Sequence, residues 1–307
     1  MFLIAEKVNV ITTTIREAMK AKDKKPIQEM VELQLEGNPD CIDINLGPAT
    51  RNGPEMMQWM VETIEDVTDL ILSLDTMNMD AMEAGLEKVS RPAIVNSISF
   101  VPERLKRLVP MAIKHNAKVV GLCTSEAGVP RDENERFENA MNLMSVFATG
   151  ADMMGEPIVE IDRPIPLDDY WIDPIVLPIG VAQDQVIALR KSTRMYSELP
   201  EPPHLVCGLS NVSNKCGLTP EDAGLVNRIY LAVLMGYGMD AAIVDPNDEK
   251  LMAVAKKESP EYEWALIAEG LKEGELDPND EEQLAVEKTV RLFQDNAPLF
   301  AASYLEL

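Results

Sequence analysis

The first predicted strand leads into Val8-Asn9-Val10-Ile11-Thr12-Thr13-Thr14, a turn that contains no glycine. An open, doubly wound sheet that binds a nucleotide needs a glycine-rich turn at this place. A closed barrel does not, because its active site is built from all of the loops that follow its strands. We therefore predict an α/β fold of the (β/α)8 TIM barrel type rather than an open sheet.

Short runs rich in Ile, Val and Leu alternate along the chain with longer stretches of helical periodicity. Continuous apolar runs are typical of strands buried on both faces, as in a parallel sheet. Eight such strands, each followed by a helix, match a TIM barrel. The predicted strands are Leu3–Val8, Cys41–Leu46, Leu70–Leu74, Ala93–Ser97, Lys118–Cys123, Tyr170–Leu177, His204–Ser210 and Asp240–Val244. The predicted helices are Pro26–Glu36, Pro54–Asp66, Met79–Lys88, Pro102–His115, Glu133–Met154, Ala182–Tyr196, Pro220–Met235 and Asn247–Lys257.

The length of 307 residues allows two domains, or one barrel of about 250 residues with an addition. We predict the barrel over residues 1–258 and an acidic, helical C-terminal extension over residues 259–307 that packs on the barrel. Two apolar stripes, Trp264–Ala268 and Leu284–Phe293, indicate helices in this extension. The proline-containing segment Gly155–Asp169 is predicted to be a long irregular loop, and such loops are often functional.

Composition argues against several classes of protein. The apolar content of 46% is ordinary for a folded domain, so disorder is not expected. No apolar run has the roughly 18–20 residues that span a bilayer, and the first residues lack the pattern of a signal peptide. A net charge of −24 opposes binding to nucleic-acid phosphates. We therefore expect a cytoplasmic protein that binds neither membranes nor nucleic acid.

The cysteines and histidines do not form a metal-binding or disulfide pattern. The four cysteines contain no C-x-x-C pair, and the two histidines are far apart in the sequence. We therefore predict no bound metal. The residues concerned are Cys41, Cys123, Cys207, Cys216, His115 and His204.

Carboxylate and carboxamide side chains occur at the ends of most predicted strands, where the active site of a barrel enzyme is built. They are Glu6, Asp43, Asn45, Asp75, Asn96, Asp173 and Asn211. A carboxylate accepts two parallel N–H donors, and an amide donates and accepts together. This set suits a planar heterocycle with an N–H and carbonyl edge, such as a pterin. It does not suit a phosphorylated sugar, because basic groups are scarce at these ends.

Each of these residue types also makes turns and caps helices, so a single one carries little weight. Asn78 is predicted to cap the helix that follows it, and Asp245 is assigned a structural role. Glu6 could contact a ligand, pair with the neighbours of Lys7 or cap the barrel floor. Asp43 has two readings, because it could instead hydrogen-bond the neighbouring loop.

Several motifs resemble the pterin-binding barrels, which include dihydropteroate synthases and folate-dependent corrinoid methyltransferases. These motifs are Ala5-Glu6-Lys7-Val8-Asn9, Ile42-Asp43-Ile44-Asn45-Leu46-Gly47-Pro48, Ser73-Leu74-Asp75-Thr76-Met77-Asn78 and Val95-Asn96-Ser97. Later stretches resemble specifically the methyltetrahydrofolate:corrinoid protein methyltransferases. These are Trp171-Ile172-Asp173-Pro174-Ile175-Val176-Leu177-Pro178, Val181-Ala182-Gln183-Asp184 and Gly208-Leu209-Ser210-Asn211-Val212-Ser213. In order, the resemblance runs from about residue 3 to about residue 256.

The resemblance implies a methyltransferase. It would move a methyl group between N5 of tetrahydrofolate and the cobalt of a corrinoid (cobalamin) carried by a separate protein. Asp75, Asn96 and Asp173 would then hold the pterin ring, and Asn211 would reach N5 as the catalytic residue. The remaining pterin-binding candidates are Glu6, Asp43 and Asn45. The resemblance also implies a homodimer.

The methyl group is attached to a tertiary amine, which releases it only if N5 gains positive charge. We expect Asp75 and Asp173 to be ionised against ring N–H groups, so that no side chain in the set is a suitable general acid. The hypothesis is that Asn211 and ordered water stabilise N5 in its protonated state. Asp43 or Asp75 would supply a negative potential from a distance.

Two other functions stay open. A dihydropteroate synthase would expel pyrophosphate and would need basic residues near the last strands, whereas the eighth strand is followed by Asp245-Pro246-Asn247-Asp248-Glu249. A pterin-binding module without chemistry of its own would keep the ring contacts and show no turnover. The direction of methyl transfer also stays open, as does the choice between tetrahydrofolate and a methanopterin.

Overall fold

The computed structural model describes residues 1–49 and 51–294 and has a closed barrel of eight parallel strands. Neighbouring strands in the barrel are neighbours in the sequence, and β8 pairs with β1 to close the sheet. The predicted TIM barrel is therefore confirmed. The strands are β1 Phe2–Ala5, β2 Cys41–Gly47, β3 Ile71–Thr76, β4 Ile94–Phe100, β5 Lys118–Ser125, β6 Tyr170–Asp173, β7 His204–Gly208 and β8 Ala241–Val244.

The helices surround the barrel, and each buries apolar residues against neighbouring elements. They are α1 Thr13–Ala21, α2 Lys25–Glu36, α3 Gly53–Glu65, α4 Met79–Lys88, α5 Pro102–His115, α6 Glu133–Thr149, α7 Gln183–Ser197, α8 Pro220–Gly236, α9 Glu249–Ala255, α10 Pro260–Glu269 and α11 Glu281–Gln294. Within the described ranges, no helix is both long and apolar enough to cross a membrane.

The inside of the barrel is filled in two layers. The lower layer is apolar and closes the barrel floor with Ile4, Cys41, Ile94, Val120, Trp171, Val206 and Ala241. Because side chains alternate between the two faces of a strand, the residues two positions further along also point inward. On four of these strands that next residue is polar, namely Glu6, Asp43, Asn96 and Asp173. The polar layer therefore lies above a closed apolar floor.

Several boundaries differ from the prediction for local reasons. Strand β6 was predicted to reach Leu177 but ends at Asp173, because Pro174 has no N–H to continue the sheet. Helix α6 was predicted to reach Met154 but ends at Thr149, where Gly150 adopts a left-handed cap with φ of 78°.

Two elements near the strand ends were also different from the prediction. Strand β7 ends at Gly208, and Leu209–Asn211 forms one turn of 3-10 helix instead of continuing the strand. Helix α1 was missed, because its first residues belong to a run of β-branched threonines with low helix propensity. Burial of its apolar face overrides that propensity, since Ile15 is fully buried.

Helices α10 and α11 pack on α7 and α8 at the outside of the barrel. The Glu269 carboxylate is fully buried there and pairs with the Arg190 guanidinium of α7. Tyr237 Oη donates to Glu269 at 2.6 Å, and the rings of Phe293 and Tyr230 lie 4.7 Å apart. The division of the chain into two domains at residue 258 stays a prediction. Residues 295–307 of the predicted extension lie outside the described residues.

Candidate active site at the barrel mouth

The polar layer opens at the barrel mouth, which we define as the end formed by the loops that follow the strands. Asn45 of β2, Asp75 of β3 and Asn96 of β4 are partners across neighbouring strands and so lie at one level. Asp43 precedes Asn45 by two positions on β2, and Asp173 is the last residue of β6. Five of the predicted site residues are thus brought to one end of the barrel.

Asp43 is the centre of a buried hydrogen-bond network. Ser73 Oγ donates to Asp43 Oδ1 at 2.6 Å, and Asn96 Nδ2 donates to the same oxygen at 3.2 Å. Asn96 Nδ2 also lies 3.3 Å from Ser73 Oγ. The amide nitrogen of Asn96 is therefore occupied by its contacts with Asp43 and Ser73. Its carbonyl oxygen makes no hydrogen bond to any part of the chain that the structure describes, and is left to accept one from a ligand.

Asn45 holds the carboxylate of Asp75 in a defined orientation. The Gly47 backbone N–H donates to Asn45 Oδ1 at 2.9 Å, which fixes the amide so that its nitrogen faces Asp75. Asn45 Nδ2 then donates to Asp75 Oδ2. The other carboxylate oxygen, Oδ1, has no partner among the described residues. Asp75 can therefore accept an N–H donor from a ring placed in the cavity.

Asp173 is held by the loop that follows it. Its Oδ1 accepts the Ile175 backbone N–H at 2.8 Å. Ile175 makes this contact from a left-handed conformation with φ of 70°, which is strained for a β-branched residue. The strained residue Ile175 therefore fixes one carboxylate oxygen of Asp173 at the mouth.

Burial changes the charge state of these carboxyl groups. Desolvation raises the pKa of Asp43 to about 6, although the hydrogen bond from Ser73 acts in the opposite direction. Desolvation also raises the pKa of Asp173 to about 6, against the lowering effects of its backbone hydrogen bond and of the positive charge of Arg136. Both carboxyl groups therefore hold their protons more tightly than an exposed aspartate does.

Asp75 shows the same effect. Burial raises its pKa well above the usual value, and the negative charges of Asp43 and Asp173 raise it further. A carboxyl group that is buried next to other carboxyl groups holds its proton more tightly than an exposed one. The expectation that Asp75 and Asp173 are ionised against ring N–H groups concerns the site with its ligand bound, and it stays a prediction.

Glu6 and Asn211 lie on the other side of the mouth, where β7 and β1 end. Glu6 accepts a hydrogen bond from Ser210 Oγ, at 2.7 Å to Oε1 and 2.9 Å to Oε2. The Asn211 side chain is exposed and makes no hydrogen bond to residues 1–49 or 51–294. The structure thus does not place Glu6 or Asn211 in the hydrogen-bond network of Asp43 and Asp75.

Other residues at the mouth are structural. Asn78 Oδ1 accepts the backbone N–H groups of Asp80 and Ala81, which confirms its predicted role as a helix cap. Lys7 Nζ pairs with Asp245 at 2.9 Å, so this lysine is engaged at the end of β8. Among the described residues, no group of three or more His, Cys, Asp or Glu side chains is arranged to hold a metal ion.

Sequence reasoning missed two serines that complete the site. Ser73 precedes Asp75 by two positions, so the alternation of the strand puts both on the inward face. That signal was available in the sequence. Ser210 lies beyond the end of β7 in the 3-10 turn, and its contact with Glu6 joins residues 204 positions apart. No local pattern could have indicated that contact.

Two proteins of known activity match most of this chain in sequence. A methylcorrinoid:tetrahydrofolate methyltransferase from Eubacterium limosum is 23% identical over 254 residues, which cover 82% of this chain and 88% of the relative. The methionine synthase of Mycobacterium leprae (strain TN) is 24% identical over 258 residues, which cover 80% of this chain. The match covers only 20% of that enzyme, so this chain spans a fifth of its length.

A solved dihydropteroate synthase from Coxiella burnetii, in complex with pteroic acid, has a TM-score of 0.61 and 12% sequence identity to this chain. The likeness covers 86% of this chain and 92% of that structure, and at this identity it shows the fold alone. The family profile described as pterin binding enzyme matches residues 6–245, from the residue after β1 to the residue after β8. The resemblance seen in the motifs is therefore confirmed, and the chain belongs to the family of pterin-binding enzymes.

Proposed function

We propose that this chain is a methyltransferase that moves a methyl group between N5 of tetrahydrofolate and the cobalt of a corrinoid on a separate protein. The observation that carries the proposal is the set of oxygen acceptors at the mouth. Asp75 Oδ1, Asn96 Oδ1 and Asp173 Oδ2 are left without partners in the described chain by the contacts that fix the rest of each side chain.

These oxygens match the hydrogen-bonding edge of a pterin. The ring offers several N–H donors in one plane, and a carboxylate accepts such donors in parallel. Because Asp75 and Asp173 are buried, their hydrogen bonds to the ring are formed away from water, where they are stronger. The ring edge would bind deep in the polar layer, with N5 toward the opening.

Negative charge in the cavity favours release of the methyl group. A methylated N5 is a poor leaving group unless it gains positive charge, and buried carboxylates stabilise such a charge. In transfer toward cobalt, the methyl carbon forms its new bond with an electron pair of cobalt(I), which becomes methylcobalt(III), while the bond to N5 breaks. The electron pair of the broken bond stays on N5, which leaves as a neutral amine that keeps its proton. Asp43 or Asp75, in its ionised form, supplies this negative potential. Asn211 is the side chain that reaches N5 from the β7 turn, together with ordered water.

The corrinoid must approach from the open end, because the apolar floor closes the other end of the barrel interior. Four large apolar side chains are exposed on loops at that open end. They are Ile11 after β1, Met77 after β3, Val129 after β5 and Val181 after β6, with exposed fractions of 79%, 72%, 44% and 78%. We call this set the apolar rim. An apolar rim around the mouth fits contact with a large partner that covers the site.

A dihydropteroate synthase is less well supported, although solved enzymes of that name share the fold. Release of pyrophosphate would call for basic groups at the ends of β7 and β8. Here β7 is followed by Leu209–Asn211, and the Asp245 carboxylate at the end of β8 is paired with Lys7. A homodimer, and a cytoplasmic location, stay predictions.

The deciding experiment mixes the purified protein with methyltetrahydrofolate and free cob(I)alamin and records the absorption spectrum over time. We expect conversion to the spectrum of methylcobalamin. Tight binding of methyltetrahydrofolate without that conversion would instead support a binding module without chemistry. Formation of dihydropteroate from a pterin pyrophosphate and 4-aminobenzoate would favour the synthase.

Asn211→Ala tests the role of Asn211 within this reaction. We expect a fall in the transfer rate of at least about tenfold with little change in the Kd of methyltetrahydrofolate, because the amide acts at N5 and not on the ring edge. Asn214→Ala is the matched control, because Asn214 is exposed in the same loop and its side chain makes no hydrogen bond in the described structure. Equal losses of rate and affinity in Asn211→Ala would contradict the proposed role.

A further inference from the structure

Two strand ends at the mouth are joined by a side-chain contact. The carboxylate of Glu6, directly after β1, lies 2.7 and 2.9 Å from the hydroxyl of Ser210, which follows β7. Both residues are partly buried, and Glu6 is also fixed through its backbone N–H, which donates to Val244 O of β8 at 3.0 Å. A hydrogen bond to an ionised group is among the stronger ones in proteins.

Ser210 is the middle residue of the single turn of 3-10 helix that carries Asn211. Leu209 anchors one end of the turn, because its side chain is fully buried. Val212 closes the other end, since its N–H donates to Leu209 O at 3.0 Å and its carbonyl accepts Ile179 N–H at 2.8 Å. Between these two residues, the hydrogen bond from the Ser210 hydroxyl to Glu6 attaches the turn to the barrel.

Asn211 depends on that turn for its position. Its side chain is exposed and is not hydrogen-bonded to the described residues, so its own contacts do not fix it. The amide lies back over Gly208, where a Cβ would come within 3.0 Å of Asn211 Nδ2. The backbone of the turn therefore determines the position of the Asn211 side-chain amide.

We propose that Glu6 is a positioning residue, which holds Ser210 and thereby fixes the turn that presents Asn211 at the mouth. The expected effect on the reaction rate rests on the proposed methyl transfer. The expected effect on the conformation of the turn does not. It differs from a direct contact between Glu6 and the pterin, because the effect of Glu6 passes through Ser210. Removing either partner should then have the same effect as removing both.

Charged groups of both signs surround Glu6. Desolvation raises its pKa, while the hydrogen bond from Ser210 and the charge of Lys7 lower it. Asp245 of the β8 end and Asp43 of β2 face it with negative charge. The Ser210 hydroxyl offsets part of the cost of keeping this carboxylate among other acids.

The test is a double-mutant cycle with Glu6→Ala, Ser210→Ala and the combined variant, measured as kcat and KM with free cob(I)alamin. We expect each single variant to lower kcat about 10- to 100-fold, with KM for methyltetrahydrofolate changed less than about threefold. The combined variant should be no slower than the slower single one. Glu6→Gln should recover most of the rate, because its amide oxygen still accepts from Ser210.

Additive losses in the cycle, or a loss confined to KM, would overturn the inference in favour of a direct pterin contact. Ser213→Ala is the control, because Ser213 lies just after the turn and its side chain makes no hydrogen bond in the described residues. It should leave both constants within about twofold of the unmodified protein.

Hydrogen exchange separates this inference from the proposed function. In Glu6→Ala and in Ser210→Ala, the backbone amides of residues 209–212 should exchange faster than in the unmodified protein, and Ser213→Ala should not change them. Absence of any methyl transfer by the unmodified protein would contradict the proposed function, but hydrogen exchange would still test the positioning role of Glu6. Unchanged exchange in both variants would overturn the positioning role.

Discussion

Individual residues at the mouth have features that reduce the stability of the fold. Asp43 sits inside the barrel at 2% exposure, with its carboxylate satisfied by neutral donors rather than by a basic partner. Ile175 stays in a left-handed conformation to hold Asp173. Features of this kind cluster at functional sites, where surrounding structure compensates for their cost.

Asp43→Asn should stabilise the protein at pH 8 and abolish methyl transfer. The pKa of Asp43 is raised from 3.8 to about 6, so the folded state binds the proton more tightly than the unfolded state. The stability contribution of this carboxyl group therefore falls as pH rises from about 4 to about 6, and stays low above that. Asparagine still accepts from Ser73 and Asn96 but carries no charge.

We expect Asp43→Asn to gain on the order of 1–3 kcal/mol of unfolding free energy at pH 8 and little at pH 4, measured by urea unfolding. The control is Glu273→Gln, an exposed carboxylate without a hydrogen-bond partner in the described residues. A gain for Asp43→Asn that is the same at both pH values would show that Asp43 is not destabilised by its charge.

At the scale of elements, the C-terminal helices are attached to the barrel by a few buried contacts. Glu269 at the end of α10 is fully buried and is shared by Arg190 of α7, Tyr237 and Gln294 of α11. The apolar stripes of the extension were visible in the sequence, and they do form α10 and α11. The partner of Glu269 was not visible, because Arg190 lies 79 positions earlier in the chain.

Glu269→Ala should destabilise the whole protein by about 3–5 kcal/mol, because it leaves the guanidinium of Arg190 buried without its partner. The measurement is thermal or urea unfolding followed by circular dichroism. The control is Glu263→Ala, whose pair with Lys272 is about half exposed and should contribute less than about 1 kcal/mol. Similar small losses in both variants would mean that α10 is not part of the cooperative core.

At the scale of the whole molecule, the barrel separates the polar layer from the apolar rim. The polar layer lies inside and accepts hydrogen bonds, whereas the apolar rim lies outside on four separate loops. The proposed reaction needs both, because the methyl group must pass from a buried ring to a corrinoid that belongs to another protein.

Met77→Glu and Val181→Glu should slow methyl transfer with a corrinoid protein by about tenfold or more and leave transfer with free cob(I)alamin within about twofold. A charge placed in the apolar rim disfavours contact with a partner surface but does not reach the polar layer. Leu33→Glu, on α2 and 46% exposed, is the control and should change neither rate. Equal slowing with both acceptors would contradict a role of the rim in docking.

The sequence by itself determined the barrel and most of the polar layer. Strand periodicity is local information, so the alternation of Cys41-Ile42-Asp43-Ile44-Asn45 is enough to put both polar side chains on the inward face. The order of strands followed from the repeated strand and helix pattern. The side chains near strand ends could therefore be named before their distances were known.

Only the tertiary structure decided how these side chains act on one another. The raised pKa values of Asp43, Asp75 and Asp173 depend on burial and on charges from other strands, which no stretch of sequence contains. The same holds for the contact of Glu6 with Ser210. Closure of the barrel brings the first strand beside the last, and the resulting desolvation and long-range contacts set the chemistry of the mouth.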